Sequence, residues 1–404
     1  MTSEQHTENV EADHLYLKGR NLWNKRTPDS LKQSLEYFRR ATTEDPRYAL
    51  AYTGLADAYS VLYAFRILTD AEAHNPAMDA AKKALELDDS LAETHASMGH
   101  IVHAFEKNLE TAEKHYKKAL SINPDYTAAR HWYSIVLDKM GRHDEALKEA
   151  EHALRIDPLS PFLLNSLALL RRRSGDWDGA AKAFEQCLEV DPGNETTRVN
   201  YAIFLTQAGR AEDGFSQIKR AIEANPESSW INGVYGSLLY YARRFDDAAK
   251  QMKKAVGISP QSAMGHLLRG KVHLAKGRND RALTEFTQAK KLSSSMTGDW
   301  DLAWDMASAS EILSAVTHAR MAQKDSAREI YNSLSQKYGK TCMAAFWLGV
   351  LSFELGDGDN GFKWLNKAIE KRDPWLYFAK VHPLLEKARS DSRFAALLGK
   401  IGLQ

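Results

Sequence analysis

Leu120-Ser-Ile-Asn-Pro124, Leu154-Arg-Ile-Asp-Pro158 and Leu188-Glu-Val-Asp-Pro192 stand 34 residues apart, and Ile222-Glu-Ala-Asn-Pro226 and Val256-Gly-Ile-Ser-Pro260 continue the series. Only 11 prolines occur in 404 residues, so five in one register report a small structural unit that has been copied. Glu44-Asp-Pro46 and Leu85-Glu-Leu-Asp-Asp89 fit the same frame, with Asp89 in the proline slot. Five residues before each slot sits a small side chain: Ala41, Ala84, Ala119, Ala153, Cys187, Ala221 and Ala255. A large apolar residue usually follows it, as in Leu85, Leu120, Leu154, Leu188, Ile222 and Val256. Apolar residues three to four apart mark one helix face. Small ones let a neighbouring helix come close, and proline stops the helix because it lacks an N–H.

A second mark lies mid-unit. Gly141, Gly175, Gly209 and Gly277 share one register, with Arg243 in the vacant slot. Glycine just past a helix end accepts the left-handed conformation that closes the helix. Each unit therefore reads helix, glycine turn, helix, proline turn.

These units resemble tetratricopeptide repeats. Tyr52, Leu55, Ala56 and Tyr59 fill first-helix positions of that family's pattern, as do Met98 and Gly99, Tyr235 and Gly236, and Gly270. Second-helix positions are filled by Ala112, Tyr116 and Ala119, by Ala180, Phe184 and Cys187, and by Ala282, Phe286 and Ala289. The resemblance implies an all-α, right-handed superhelical solenoid of about ten helix-turn-helix repeats with a C-terminal capping helix. The start (Tyr16-Leu-Lys-Gly-Arg20) and the end (Arg372-Asp-Pro-Trp-Leu376, then Arg389-Ser-Asp-Ser-Arg-Phe394) are similar to the arrays of a large group of bacterial regulators. Those arrays usually follow a winged-helix, Ser/Thr kinase or nucleotide cyclase effector, and this chain reads as the array without the effector. His382 and Ser392 depart from the group's usual acidic residue and proline.

Composition narrows the function. The net charge is +1, which speaks against a nucleic-acid partner, since that would need a basic stripe. Two distant cysteines, Cys187 and Cys342, suggest no disulfide framework, and Cys187 sits in a packing slot. No apolar run has the length of a membrane span, so a cytoplasmic location is the expectation. Residues 1–12 are polar and read as a disordered lead, and 13–292 as the regular array. About nine extra residues fall near 61–78. Residues 293–298 read as a joint, and 299–404 as degenerate repeats with a cap.

Catalytic patterns are missing. Gly356-Asp-Gly358-Asp-Asn-Gly361 matches a dinucleotide fingerprint, but Gly356 occupies the turn slot and no strand precedes it. His95, His100 and His103 share one helix without acidic or cysteine partners at ligand spacing, so no metal and no cofactor are expected. The chain reads as a non-enzyme.

The resemblance also implies a partner-binding groove lined by first helices. Carried over position by position, its residues are Asp57, His100, His103, His131, Asp138, Asn165, Arg172, Arg173, Thr206, Gln207, Trp230, Ser237, Tyr240, Tyr241 and Lys271. The aromatic and arginine members suit a binding hot spot, and they suit stacking between neighbouring repeats equally well. Two groove chemistries are absent: the carboxylate clamp, and the asparagine ladder, of which only Asn200 qualifies. The expected function is a protein-interaction scaffold or adaptor with a protein or peptide partner. A ligand-sensing regulator acting on a separate effector is the alternative.

Overall fold

The structure is a computed structural model that describes residues 7–25, 27–65, 67–293, 306–338 and 345–403. Cys342 and residues 294–298 of the expected joint lie outside the described residues. The described chain is helical throughout and contains no strand. Among the described residues ten hairpins follow one another. They are α1 (Val10–Asn24) with α2 (Pro28–Glu44), α3 (Ala49–Ala64) with α4 (Asp70–Leu87), and α5 (Ala92–Ile101) with α6 (Leu109–Ile122). Next come α7 (Thr127–Lys139) with α8 (His143–Ile156), α9 (Pro161–Ser174) with α10 (Trp177–Val190), and α11 (Glu195–Gln207) with α12 (Ala211–Ala224). The last four are α13 (Ser229–Tyr241) with α14 (Phe245–Ile258), α15 (Ala263–Ala275) with α16 (Asn279–Ser293), α17 (Met306–Arg320) with α18 (Lys324–Tyr338), and α19 (Ala345–Leu355) with α20 (Gly358–Glu370).

The residue before each periodic proline has a physical task. At Asn123 and Asp191 the side chain accepts an N–H two residues on, from Asp125 at 3.0 Å and from Gly193 at 3.2 Å. The residue's own N–H closes the helix onto the small-residue slot, as Asn123 N–H does on the Ala119 carbonyl and Asp191 N–H on Cys187. These side-chain turns compete with helix continuation and make the stop sharp. In the other turn Gly141, Gly175, Gly209 and Gly277 all have φ between 69° and 90°. Arg243 takes the same left-handed conformation at φ 61°, although it carries a Cβ.

Helix pairs close through small-against-large packing. The Phe38 ring fills the space against both Gly19 and Gly54; a Cβ would stand 2.6 Å from it at Gly19 and 2.5 Å at Gly54. Phe38 is fully buried, and its counterparts Tyr116, Phe184 and Phe286 are too. Cys187 is likewise buried, with Sγ 3.1 Å from Thr197 Oγ1.

One expectation differs in detail. α1 begins at Val10, inside the stretch read as a disordered lead, because the Asn9 side chain caps it by accepting the Ala12 N–H at 3.1 Å. The extra residues near 61–78 lie in the end of α3, the turn after it and the start of α4, which carries Pro76 within the helix. Gly356, at φ 87°, closes α19, and Asp357 caps α20 by accepting the Asn360 N–H at 3.0 Å, so the glycine-rich stretch is a helix-to-helix turn.

The chain forms two compact units, one up to Leu170 and one from Arg171 onward. The second ends in a cap of short turns: 3-10 turns Pro374–Phe378 and Pro383–Leu385, α21 (Glu386–Arg389) and α22 (Ser392–Lys400). Asp373, His382 and Asp391, spaced nine residues apart, each start one turn. Their side chains accept the N–H of Trp375 (3.0 Å), Leu384 (3.2 Å) and Arg393 (2.9 Å). His382 therefore does through Nδ1 what an acidic residue would do there.

Candidate functional site

In the first unit the expected groove residues form a polar seam between neighbouring first helices. Thr53 meets Thr94 at 3.1 Å, Asp57 accepts from Ser97, and Ser60 meets His100 Nδ1 at 3.2 Å. Asp57 is almost fully buried and also holds Arg20 at 3.1 Å. The His100 ring stacks on Trp132 at 4.5 Å, and His131 lies against Phe162 at 4.2 Å. His103 is buried where α5 ends in the π-helical turn Val102–Glu106. Asp138 accepts from His143 Nδ1 at 2.7 Å. Asn165 is half-buried on α9. The Asp57, Thr53, Ser60, His100 and His131 contacts join neighbouring repeats.

In the second unit the first-helix face is covered by the cap of the same unit. Tyr377 donates through its hydroxyl to the Arg173 carbonyl at 2.9 Å, and Arg372 donates to the same oxygen at 3.3 Å. The Arg172 guanidinium lies 5.7 Å from the centre of the Tyr377 ring and contacts Gln207 Oε1 at 3.4 Å. Tyr241 stacks on Phe378 at 4.2 Å, and Tyr240 and Tyr241 both face the His382 ring. Thr206 is buried and bonds back to the Ala202 carbonyl at 3.0 Å. Ser237 is half-buried, and Trp230 stays 44% exposed.

Lys271 sits at the centre of this arrangement. It is 1% exposed, and its ammonium lies 4.9 to 5.6 Å from the ring centres of Tyr240, Tyr241, Trp347 and Trp375. It donates to the Tyr241 hydroxyl at 3.1 Å. Burial pushes its pKa down to about 7. Burial, with the nearby Lys271 charge next, also holds the His382 imidazole well below its ordinary range. Asp373, pushed up to about 7 by burial, accepts the N–H groups of Trp375 and Phe346. Further out, Glu354 on α19 pairs with Arg320 and Lys387, both at 2.6 Å. Sequence reasoning missed Trp347, Trp375, Tyr377, Phe378 and His382. The available signal was the concentration of five of the nine tryptophans after residue 298. Among the described residues no His, Cys, Asp and Glu group is arranged to hold a metal ion.

Two sequence models of the family described as Tetratricopeptide repeat match this chain, one at residues 106–169 and 171–238, the other at 236–296. The chain is a tetratricopeptide-repeat protein. The matched stretches run from the turn after α5 through α16, and further helical hairpins flank them. A curated relative of this repeat protein is the transcriptional regulator HilA of Salmonella typhimurium, 25% identical over 149 residues. That match covers 37% of this chain and 27% of HilA, so the two share only a part of their length. Among solved structures, a monomeric mutant of IFIT1 with m7Gppp-AAAA is similar in fold, with TM-score 0.52, 15% identity and coverage of 70% of this chain and 71% of that one. A tetratricopeptide repeat protein from Parabacteroides merdae gives TM-score 0.46 and 18% identity, covering 74% of this chain and 98% of that one. No helix among the described residues is long and apolar enough to cross a membrane.

Proposed function

We propose that this repeat protein is a non-enzymatic adaptor that binds a protein segment, in a bacterial regulatory setting. Stacked helical hairpins make extended surfaces suited to macromolecular partners. The observation that carries the reading is Trp230. It is the one exposed tryptophan among those described, and it stands on the first-helix row of the second unit beside half-buried Ser237. Tryptophan is the side chain most enriched where truncation costs binding energy. The near-neutral charge supports a protein partner rather than nucleic acid. The likeness to HilA supports the regulatory setting. The same setting gives the cytoplasm as the proposed location.

Trp230→Ala tests the reading. Trp230 is a surface side chain, so its loss is expected to change stability by no more than about 0.5 kcal/mol. Binding to a partner identified by cross-linking in the native host is expected to weaken at least about tenfold, the scale of a hot-spot truncation. Unchanged affinity in the folded variant overturns the assignment.

One observation favours the second reading, a ligand sensor. A cleft of about 700 Å³ opens between α16, α17 and α18, lined by Phe286, Lys290, Glu311, Ser314, His318 and Ser333 among others. A ligand held there raises the melting temperature in proportion to RT ln(1 + [L]/Kd). No rise across a metabolite panel removes that reading.

A further inference from the structure

The cap of the second unit is attached in two different ways. Its base is apolar and local. Trp375, Leu376, Leu384, Leu385, Phe394 and Leu397 are buried, and Asp373 holds the Phe346 N–H at the start of α19. Its rim reaches far back along the chain, where Phe378 and His382 pack on Tyr240 and Tyr241 of α13 and a few polar contacts add to this. Two of these are the Tyr377 and Arg372 bonds to the Arg173 carbonyl, and a third is the bond from Trp177 Nε1 to the Ile401 carbonyl at 3.0 Å. A fourth is the exposed Arg243–Glu386 pair. Hydrogen bonds of this kind have small net worth, and an exposed ion pair is screened by solvent. The buried apolar attachment therefore joins the cap to α13, α19 and α20, and the weak polar one joins it to α9 and α10.

We infer that the first-helix face of the second unit is a segment-binding site held shut in cis, with residues 372–403 of the same chain as its resident occupant. The inference rests on the reading of first-helix faces as segment-binding surfaces. The face is built for such an occupant. A backbone carbonyl at Arg173 takes two donors from the segment, Tyr241 offers a ring face to Phe378, and Gln207 steadies the Arg172 guanidinium near the Tyr377 ring. The rim can open while the base stays seated, because the two depend on different contacts. A partner segment that offers a proline-led aromatic run, as Pro374-Trp-Leu-Tyr-Phe378 does, competes for the same places. Access to this face is thereby regulated by the cap, whereas Trp230 lies outside it and stays exposed.

Hydrogen exchange read by mass spectrometry on the full chain tests the two attachments. Trp177→Phe with Tyr377→Phe deletes two rim donors and keeps both rings. The expected result is at least tenfold faster exchange in the cap rim and in the end of α9, with α19 and α20 unchanged. Arg243→Glu sets like charges opposite each other at the surface, and it gives a smaller acceleration of the same segments without touching the core. Acceleration of α19 and α20 in step with the rim, or no acceleration in either variant, overturns the clasp. A labelled peptide of residues 370–392 then tests the face. It is expected to bind the double variant and not the wild-type chain. Equal binding to both shows that the face is not held shut, and binding to neither shows that it is not a segment site. Each of those outcomes overturns the inference, and the exchange result stands apart from the Trp230 test.

Discussion

Lys271→Met is expected to stabilise the second unit by roughly 2–3 kcal/mol near neutral pH, since a buried ammonium whose only hydrogen-bond partner among the described residues is the neutral Tyr241 hydroxyl is replaced by an apolar side chain of similar length. Burial lowers the Lys271 pKa from 10.5 to about 7. At ~1.4 kcal/mol per pH unit that shift corresponds to about 5 kcal/mol. The faces of Tyr240, Tyr241, Trp347 and Trp375 act in the opposite direction, because an aromatic ring attracts a cation. Part of the cost therefore remains. The sign follows from proton binding. Between pH 10.5 and about 7 the unfolded chain holds a proton on this lysine that the folded chain does not. Wild-type stability consequently falls as pH drops through that window and is level below it. The advantage of the variant is full below about pH 7 and disappears above 10.5. Urea unfolding of both proteins at neutral and alkaline pH measures this. A variant advantage that does not shrink at alkaline pH refutes the buried-charge account.

Phe38→Ala is the second large effect, with an expected loss of about 3–5 kcal/mol in the first unit, the range for emptying a buried aromatic site. One ring packs against two helices at Gly19 and Gly54, and neither glycine can follow the lost volume. In a repeat array each hairpin leans only on its neighbours. Exchange protection is therefore expected to collapse in α1 to α4 and to persist in α13 to α16. Gly54→Ala supplies the complementary check. Alone it drives a Cβ to 2.5 Å from the Phe38 ring and destabilises. In the Phe38→Ala background it meets open space, so the two changes are expected to be less than additive. Strict additivity shows that the ring and the glycine do not share one packing site.

Much of the fold is legible locally. The Asn-Pro and Asp-Pro turns, the glycine slot and the small residue five positions before each proline each specify a local conformation, and all of them agree at one period. Cys187 and Gly356 could be read as packing and turn residues on that period alone. The groove was legible only as a set of positions. Periodicity places Tyr240, Tyr241 and Lys271 on the first-helix face, but it carries no information about what lies on that face. The covering residues are 204 positions away for Tyr377 against Arg173 and 224 for Ile401 against Trp177. They come from the part of the chain where the period has ended.

The sequence by itself determined the helical hairpins and, up to residue 292, their register, because turn stops and small-against-large packing act within one repeat or between neighbours. The tertiary structure alone decided which first-helix positions stay accessible. Asp57 and His100 are taken up in a seam between helices, Tyr240, Tyr241 and Lys271 are enclosed by the cap, and Trp230 remains open. The physical reason is burial by remote segments. A side chain's environment depends on every element packed on it, and those elements meet only after the array has been assembled.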